Sequence, residues 1–337
     1  MTMQTMEQGA QIIVCHWLKA RREERIAILS DPSSRAQAEA LLDAAQRAGA
    51  EVTLRLIEQG EEQPGAVLQA PALQRAIAAA ETIVGATCTS LLTTRAIAEA
   101  VGAGKRYLSL PLAAGQLPML SYPFLCMPPE TAARMAKPLL ETYRDCRGIR
   151  VTTPAGTDLT LSVEGRKALA FTGDFSYSRC DSACFEVTIP PVETSAEGVL
   201  VVDGSLGYLG APGKPLRIRF HRGRIAEIEA GEDGERLRTY LAAFRDEGMQ
   251  VAGEFGIGLN TLARCTGACY IEDESAFGTF HVGMGRNLTF GGIHDAAGHF
   301  DLVGLDPTIY FDGKHITLPY VRGARTEDNH EDSVYRF

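Results

Sequence analysis

Between Gly278 and Asp301 the chain gathers three histidines, two aspartates and six glycines, so that donor side chains and backbone freedom share one short span. His299 and Asp301 stand two apart in His-Phe-Asp-Leu-Val, a strand-like run. An imidazole and a carboxylate therefore project from one face while Phe300 and Leu302 turn to the other. His281 lies in a second strand-like run, Thr-Phe-His-Val-Gly-Met, and Gly291 and Gly292 permit the sharp return that sets the two strands side by side. Two imidazoles and a carboxylate presented from neighbouring strands suit Zn, Co, Mn or non-haem Fe(II). On spacing alone they are equally a hydrogen-bonded structural cluster or a plain acid–base pair.

Two carboxylates upstream tilt the reading toward a metal. Glu254 is a lone charge in Gly-Glu-Phe-Gly-Ile-Gly-Leu-Asn, a run of strand residues and glycines where an unpaired buried charge is costly unless something positive neutralises it. Glu193 follows the stiff Pro190-Pro191 pair and precedes an apolar strand, a loop position of the kind that serves sites.

With these motifs in hand, the C-terminal half resembles the aminopeptidase T family of thermophilic metallo-aminopeptidases. The likeness runs through Pro191-Val-Glu193 before Gly198-Val-Leu-Val-Val-Asp203, then Gly253-Glu-Phe255, Phe280-His-Val-Gly-Met-Gly285 and His299-Phe-Asp-Leu-Val-Gly304. It covers residues 150–315, with a weaker echo N-terminally. By that resemblance Glu193, Glu254, His281, His299 and Asp301 match a two-metal ligand set. It implies a metal-dependent hydrolase that cleaves a peptide or small amide bond with a metal-activated water, with Glu254, His281, His299 and Asp301 as catalytic residues and Zn, Co or Mn as the ions. Leu288 stands where that family carries a tyrosine.

A branch of the same superfamily resembles the 2,5-dihydroxypyridine dioxygenases, which hold one Fe(II) with two His and one Asp. This chain shares with it Glu-Thr-Ser-Ala-Glu-Gly at Glu193–Gly198 and the His299-x-Asp301 pair. It carries Glu254 where that branch has a histidine, and His281 where that branch has an apolar residue. The ligand types favour the hydrolase, with a ring-cleaving Fe(II) dioxygenase of hydroxylated N-heteroaromatics as the alternative. Further candidates are a general base in Glu272-Asp-Glu-Ser275, substrate anchors at Asn260, Arg264 and Arg286, and contacts from His294 and Asp295. A solvated turn and ordinary loop polarity account for these residues as well.

The elements that must carry this site follow from the rest of the chain. Its 337 residues are long for one core and divide naturally in two, at 1–147 and 148–337. With 45% hydrophobic and 22% charged residues the composition is that of a soluble globular protein. A net charge of −9 argues against nucleic acid or an anionic membrane as partner and leaves a small molecule or peptide. Eight cysteines over this length read as reduced thiols of a cytoplasmic enzyme. Cys180/Cys184 and Cys265/Cys269 have the spacing of a zinc knuckle but read as buried thiols. No signal peptide and no membrane span is apparent.

Helix 6–24, strand 25–31, helix 33–48, strand 51–57, a Gly/Pro linker, helix 71–80, strand 82–86, helix 92–101 and strand 106–110 alternate. The N-terminal part is therefore α/β, a Rossmann-like, doubly wound parallel sheet. Asp31-Pro-Ser-Ser, Gly102-Ala-Gly104 and Gly256-Ile-Gly258 do not form a phosphate fingerprint, so this domain reads as scaffold or dimer interface. A Pro-rich loop, 111–129, carries Tyr122, Phe124 and Met127 as cleft or core residues and leads into a helix over 129–146. Its apolar surface, with the family likeness, implies a homodimer. From Gly148 the texture becomes α+β, with hairpins at 149–163 and 216–229, a mixed sheet carrying the metal site, and an amphipathic helix over 233–245 burying Leu237, Tyr240, Leu241 and Phe244. His221 reads as solvated, and the polar tail after Tyr320, with His330, as an exposed arm.

Overall fold

A parallel sheet needs cover on both faces, and alternate residues of the N-terminal strands provide it. β1 (Arg25–Ser30), β2 (Glu51–Leu56), β3 (Thr82–Thr87) and β4 (Arg106–Pro111) pair in parallel in the order β2-β1-β3-β4. Ile26, Ile28, Val84 and Ala86 face the core that holds α1 (Met6–Ile12) and α2 (Arg35–Arg47). Ala27, Leu29, Ile83 and Tyr107 face the core of α3 (Pro71–Ala79) and α4 (Arg95–Gly102). The helices bury i, i+3, i+4 stripes such as Ala38, Leu41 and Ala45 of α2. This computed structural model describes residues 4–57, 68, 70–115 and 117–319. The expected Gly/Pro linker lies almost wholly outside them, and the polar tail with His330 entirely so.

The first helix differs from expectation. α1 ends at Ile12 and continues as one π-type turn to Trp17, whose buried ring packs on Phe185 at 4.9 Å. Lys19 and Glu23 then adopt left-handed backbone, φ 48° and 63°, which no right-handed helix accommodates. The chain turns there instead of continuing to residue 24. The helix expected over 129–146 is α5 (Pro129–Tyr143), and Phe124 and Met127 of the preceding loop are core residues.

The C-terminal part is α+β. β5 (Gly148–Thr152) and β6 (Asp158–Ser162) form the expected hairpin. With β10 (Glu197–Val202), β11 (Leu216–His221), β12 (Arg224–Ile228), β16 (Thr308–Phe311) and β17 (Lys314–His315) they build an antiparallel sheet in the order β12-β11-β10-β6-β5-β16-β17. β7 (Leu169–Phe171), β9 (Glu186–Ile189), β13 (Ala252–Gly258), β14 (Thr279–Gly285) and β15 (His299–Leu305) form a second antiparallel sheet, β15-β14-β13-β9-β7. β8 (Cys180–Ser182) instead joins the parallel sheet beside β4, with Tyr107 opposite Cys180. Residues from beyond 147 thus complete the N-terminal sheet.

α6 (Glu232–Ala243) buries Leu237 and Leu241. α7 (Tyr270–Ser275) holds the acidic run read as a general-base candidate or a solvated turn; all of it is buried, so the solvated turn does not hold. Two of its carboxylates meet backbone donors: Asp273 accepts from Thr266 and Gly267, and Glu272 from Arg264. The cysteines are all free thiols. Among the described residues no helix is long and apolar enough to cross a membrane.

Candidate metal centre

The β15-β14-β13-β9 register decides which side chains meet. Gly283 of β14 lies opposite both Glu254 of β13 and Asp301 of β15, while Gly256 lies opposite His281 on one side and Thr188 of β9 on the other. With a side-chain period of two, Glu186, Thr188, Glu254, His281, His299 and Asp301 all project from one sheet face. The two glycines leave that face hollow. A Cβ on Gly283 would stand 2.7 Å from Glu254 Cβ, 2.7 Å from His299 Cε1 and 2.8 Å from Asp301 Oδ1, and one on Gly256 would collide with His281 Nε2.

Two donor triads occupy the hollow. Glu186, Glu254 and His281 form one, and Glu254, His299 and Asp301 the other; within each, ligand atoms lie within 4.8 Å of one another. His299 Nε2 is 2.8 Å from Glu254 Oε2 and 3.3 Å from Asp301 Oδ1. His281 Nε2 is 2.8 Å from Glu186 Oε2. His299 Nδ1 donates to the Arg286 carbonyl at 2.9 Å, which fixes the ring with Nε2 toward the carboxylates. Thr188 donates its hydroxyl to Glu254 Oε1, and Tyr270 donates its hydroxyl to Asp301 Oδ2. Phe290 lies against the His299 ring with centroids 5.1 Å apart.

The electrostatics are those of a site short of positive charge. Burial alone would push both imidazoles down. For His281 the carboxylate of Glu186, followed by Asp301 and Glu254, outweighs burial and lifts it to about 9. For His299, Asp301 and then Glu254 lift it well above the usual range. Burial likewise works to raise Asp301, but His299 prevails and holds it below the usual carboxylate range. Burial, with Asp301 next, raises Glu274 of α7 well above the usual carboxylate range. Three carboxyl groups and two imidazoles thus crowd the hollow, and Asp301 Oδ1 and His281 Nδ1 are buried without a hydrogen bond. An unpartnered oxygen and nitrogen at a hollow, on residues that are all metal-ligand types, fit a divalent cation, which would offset the crowded carboxylates.

The sequence-predicted residues divide accordingly. Glu254, His281, His299 and Asp301 are brought together. Glu193 is not among them: Arg166 Nη2 holds it at 2.5 Å, and Asn287 Nδ2 and the Ile293 N–H donate to its other oxygen at 3.0 and 2.9 Å. Asn260 is buried between the Phe124 carbonyl and the Leu262 N–H. Arg286 is engaged by Asp295 and the Thr93 carbonyl, and His294 Nε2 lies 2.9 Å from the Gly248 carbonyl. Glu274, from the acidic run named for a general base, lies beside Asp301, while Glu186, Thr188 and Tyr270 escaped the sequence reading. For Glu186 a signal existed: it is a charge inside Phe-Glu-Val-Thr-Ile, the same anomaly that singled out Glu254.

A separate cleft of about 580 Å³, lined by Lys19, Arg25, Lys105, Arg106 and Arg179 among others, opens at the amino-terminal edge of the parallel sheet. Its cations answer helix-end carbonyls: Lys105 Nζ donates to Ala78 and Ala80, and Arg25 Nε to Ala79. That offsets the negative end of α3, and the cleft has no part in the cluster.

Fold and cluster together define an α/β protein with a buried His–carboxylate centre on an antiparallel sheet. The chain belongs to the 2,5-dihydroxypyridine 5,6-dioxygenase family, NicX, whose profile matches residues 11–319. Among solved structures it is similar to the 2,5-dihydroxypyridine dioxygenase of Pseudomonas putida KT2440, with 22% identity and a TM-score of 0.77 over 94% of this chain and 96% of that one. It is also similar to AmpT of Thermus thermophilus, with 16% identity and a TM-score of 0.63 over 96% and 99%. Both likenesses are at the level of the fold. No curated protein sequence matches the chain.

Proposed function

We propose that this protein is a metal-dependent oxygenase that uses Fe(II) and O₂ to cleave a hydroxylated N-heteroaromatic ring. The observation that carries this reading is the family match, which spans residues 11–319. The hydrolase expected from the aminopeptidase T resemblance and the ligand types thus becomes the second reading. Glu254, His299 and Asp301 would hold the ion, which when bound supplies positive charge for a substrate oxyanion and a redox couple for O₂ chemistry.

The chain's own groups do the rest. Thr188 and Tyr270 hold the outer carboxylate oxygens of Glu254 and Asp301. The Arg286 carbonyl keeps the proton of His299 on Nδ1. Phe290 packs at a tilt against the imidazole. His281 Nε2 pairs with Glu186 Oε2 at 2.8 Å, beside the second triad but outside it.

One observation favours a two-ion hydrolase instead: Glu254 belongs to both triads, as a bridging carboxylate would. The deciding experiment restores Fe(II), then Zn(II) or Co(II), to metal-stripped protein. O₂ uptake with 2,5-dihydroxypyridine is followed beside cleavage of aminoacyl amides. Stoichiometric O₂ consumption dependent on iron supports the oxygenase. Amide cleavage with Zn(II) under nitrogen, without O₂ uptake under air, would sink it.

A further inference from the structure

We infer that Tyr270 is a positioning residue for Asp301, and that it is set in place by the carboxyl ends of the N-terminal sheet. The inference rests on the reading of Asp301 as a cation ligand. The Tyr270 hydroxyl donates to Asp301 Oδ2, while Oδ1, 3.3 Å from His299 Nε2, has no hydrogen bond. The terminal torsion of a carboxylate is broad, so a donor on one oxygen is what keeps the other aimed at the point where Glu254 and His299 converge.

Tyr270 has little freedom of its own. Its backbone N–H donates to the Ala113 carbonyl at 3.3 Å, Gly115 N–H donates to Ala268 at 2.6 Å, and Cys269 bridges to Ala114. Its ring stacks on Tyr208, centroids 4.0 Å apart and planes 15° apart. The Tyr208 hydroxyl in turn accepts the Ser90 N–H at 3.0 Å. Ala113–Gly115 follow β4 and Ser90 follows β3, so both holds come from strand ends of the parallel sheet, where such sheets serve their ligands.

The other ligand of β15 is tied the same way. His299 Nδ1 is held by the Arg286 carbonyl, and the Arg286 side chain donates to the Thr93 carbonyl, again in the segment after β3. The N-terminal domain thus orients the centre without contributing a ligand to it.

Tyr270→Phe keeps the ring and the stack and removes the donor. Co(II) is titrated without oxygen into metal-stripped full-length protein and followed by calorimetry and by visible absorption. Tyr270→Phe should weaken Co(II) binding about tenfold or more and alter the absorption bands, with cooperative unfolding retained. Tyr208→Phe, which loses the Ser90 bond but keeps the stack, should shift both in the same direction by less. Wild-type affinity and an unchanged spectrum in Tyr270→Phe overturn the inference while the role of Asp301 stands. Asp301→Asn binding Co(II) as tightly as wild type would overturn that role, and this inference with it.

Discussion

Glu254 Oε2 lies 2.8 Å from His299 Nε2 while Oε1 accepts the hydroxyl of Thr188, so one buried carboxylate ties β15 to β9 across β13 and β14. Every reading of the centre passes through this residue.

Glu254→Gln preserves size and removes the charge. Metal occupancy should fall at least tenfold, measured by elemental analysis after equilibration with Fe(II) or Zn(II). The metal-free protein should also lose about 1–3 kcal/mol, because His299 then has Asp301 alone as charge partner in a buried site. Full occupancy in a folded variant would remove Glu254 from the ligand set.

Gly283→Ala tests the hollow itself. The added Cβ would meet Glu254, His299 and Asp301 within 2.8 Å, so strands or ligands must shift. Overpacking of this kind costs about 1–3 kcal/mol. The stronger effect should be on cation affinity, since the methyl stands where ligand atoms converge. Gly278→Ala, with nothing within 4 Å of its Cβ but a φ of +87°, controls for backbone strain: it should lose stability and keep the metal.

Acid sensitivity should trace in part to Glu24, at the far edge of the parallel sheet. Burial works to raise its carboxyl, but hydrogen bonds from Thr82, the Arg21 N–H and Arg106 outweigh it and hold it below its ordinary 4.5. A depressed carboxyl stabilises the fold fully above the unfolded value and loses that contribution as pH falls through the folded value. Thermal midpoints should therefore drop below pH 4.5 more steeply in wild type than in Glu24→Gln. At pH 7 the variant should be about 1–3 kcal/mol less stable. Parallel pH profiles would exclude Glu24 as a contributor.

What the sequence made legible follows the range of the forces involved. Buried parallel strands are short apolar runs between helices with periodic stripes, so β1 to β4 and α2 to α4 could be read locally. His299 and Asp301 could be paired because strand period alone puts them on one face. Glu186 could not be placed: its meeting with His281 depends on β9 pairing with β13, and β13 with β14, over separations that no local pattern encodes. Glu193, in a conspicuous Pro-Pro loop, drew attention that its bond to Arg166 explains. The burial of Glu272 and Asp273 was hidden because it depends on backbone donors at Arg264, Thr266 and Gly267, presented by a neighbouring loop. Nor does anything in Lys19 or Glu23 announce a left-handed backbone.

The number of ions separates the two readings most sharply, and Glu186 is the residue that reports it. If one ion sits in the Glu254–His299–Asp301 triad, Glu186 serves only to hold His281, and Glu186→Gln should leave one equivalent bound. If Glu254 bridges two ions, Glu186 and His281 hold the second, and Glu186→Gln should lower the content from two equivalents to one. Glu193→Gln is the companion variant. Its carboxylate is engaged by Arg166, Asn287 and Ile293, so metal content should be unchanged while the loop after β14 loosens, seen as faster amide exchange at Ile293. The oxygenase reading expects one equivalent in wild type and in both variants. Two equivalents in wild type, halved in Glu186→Gln, would return the assignment to the hydrolase.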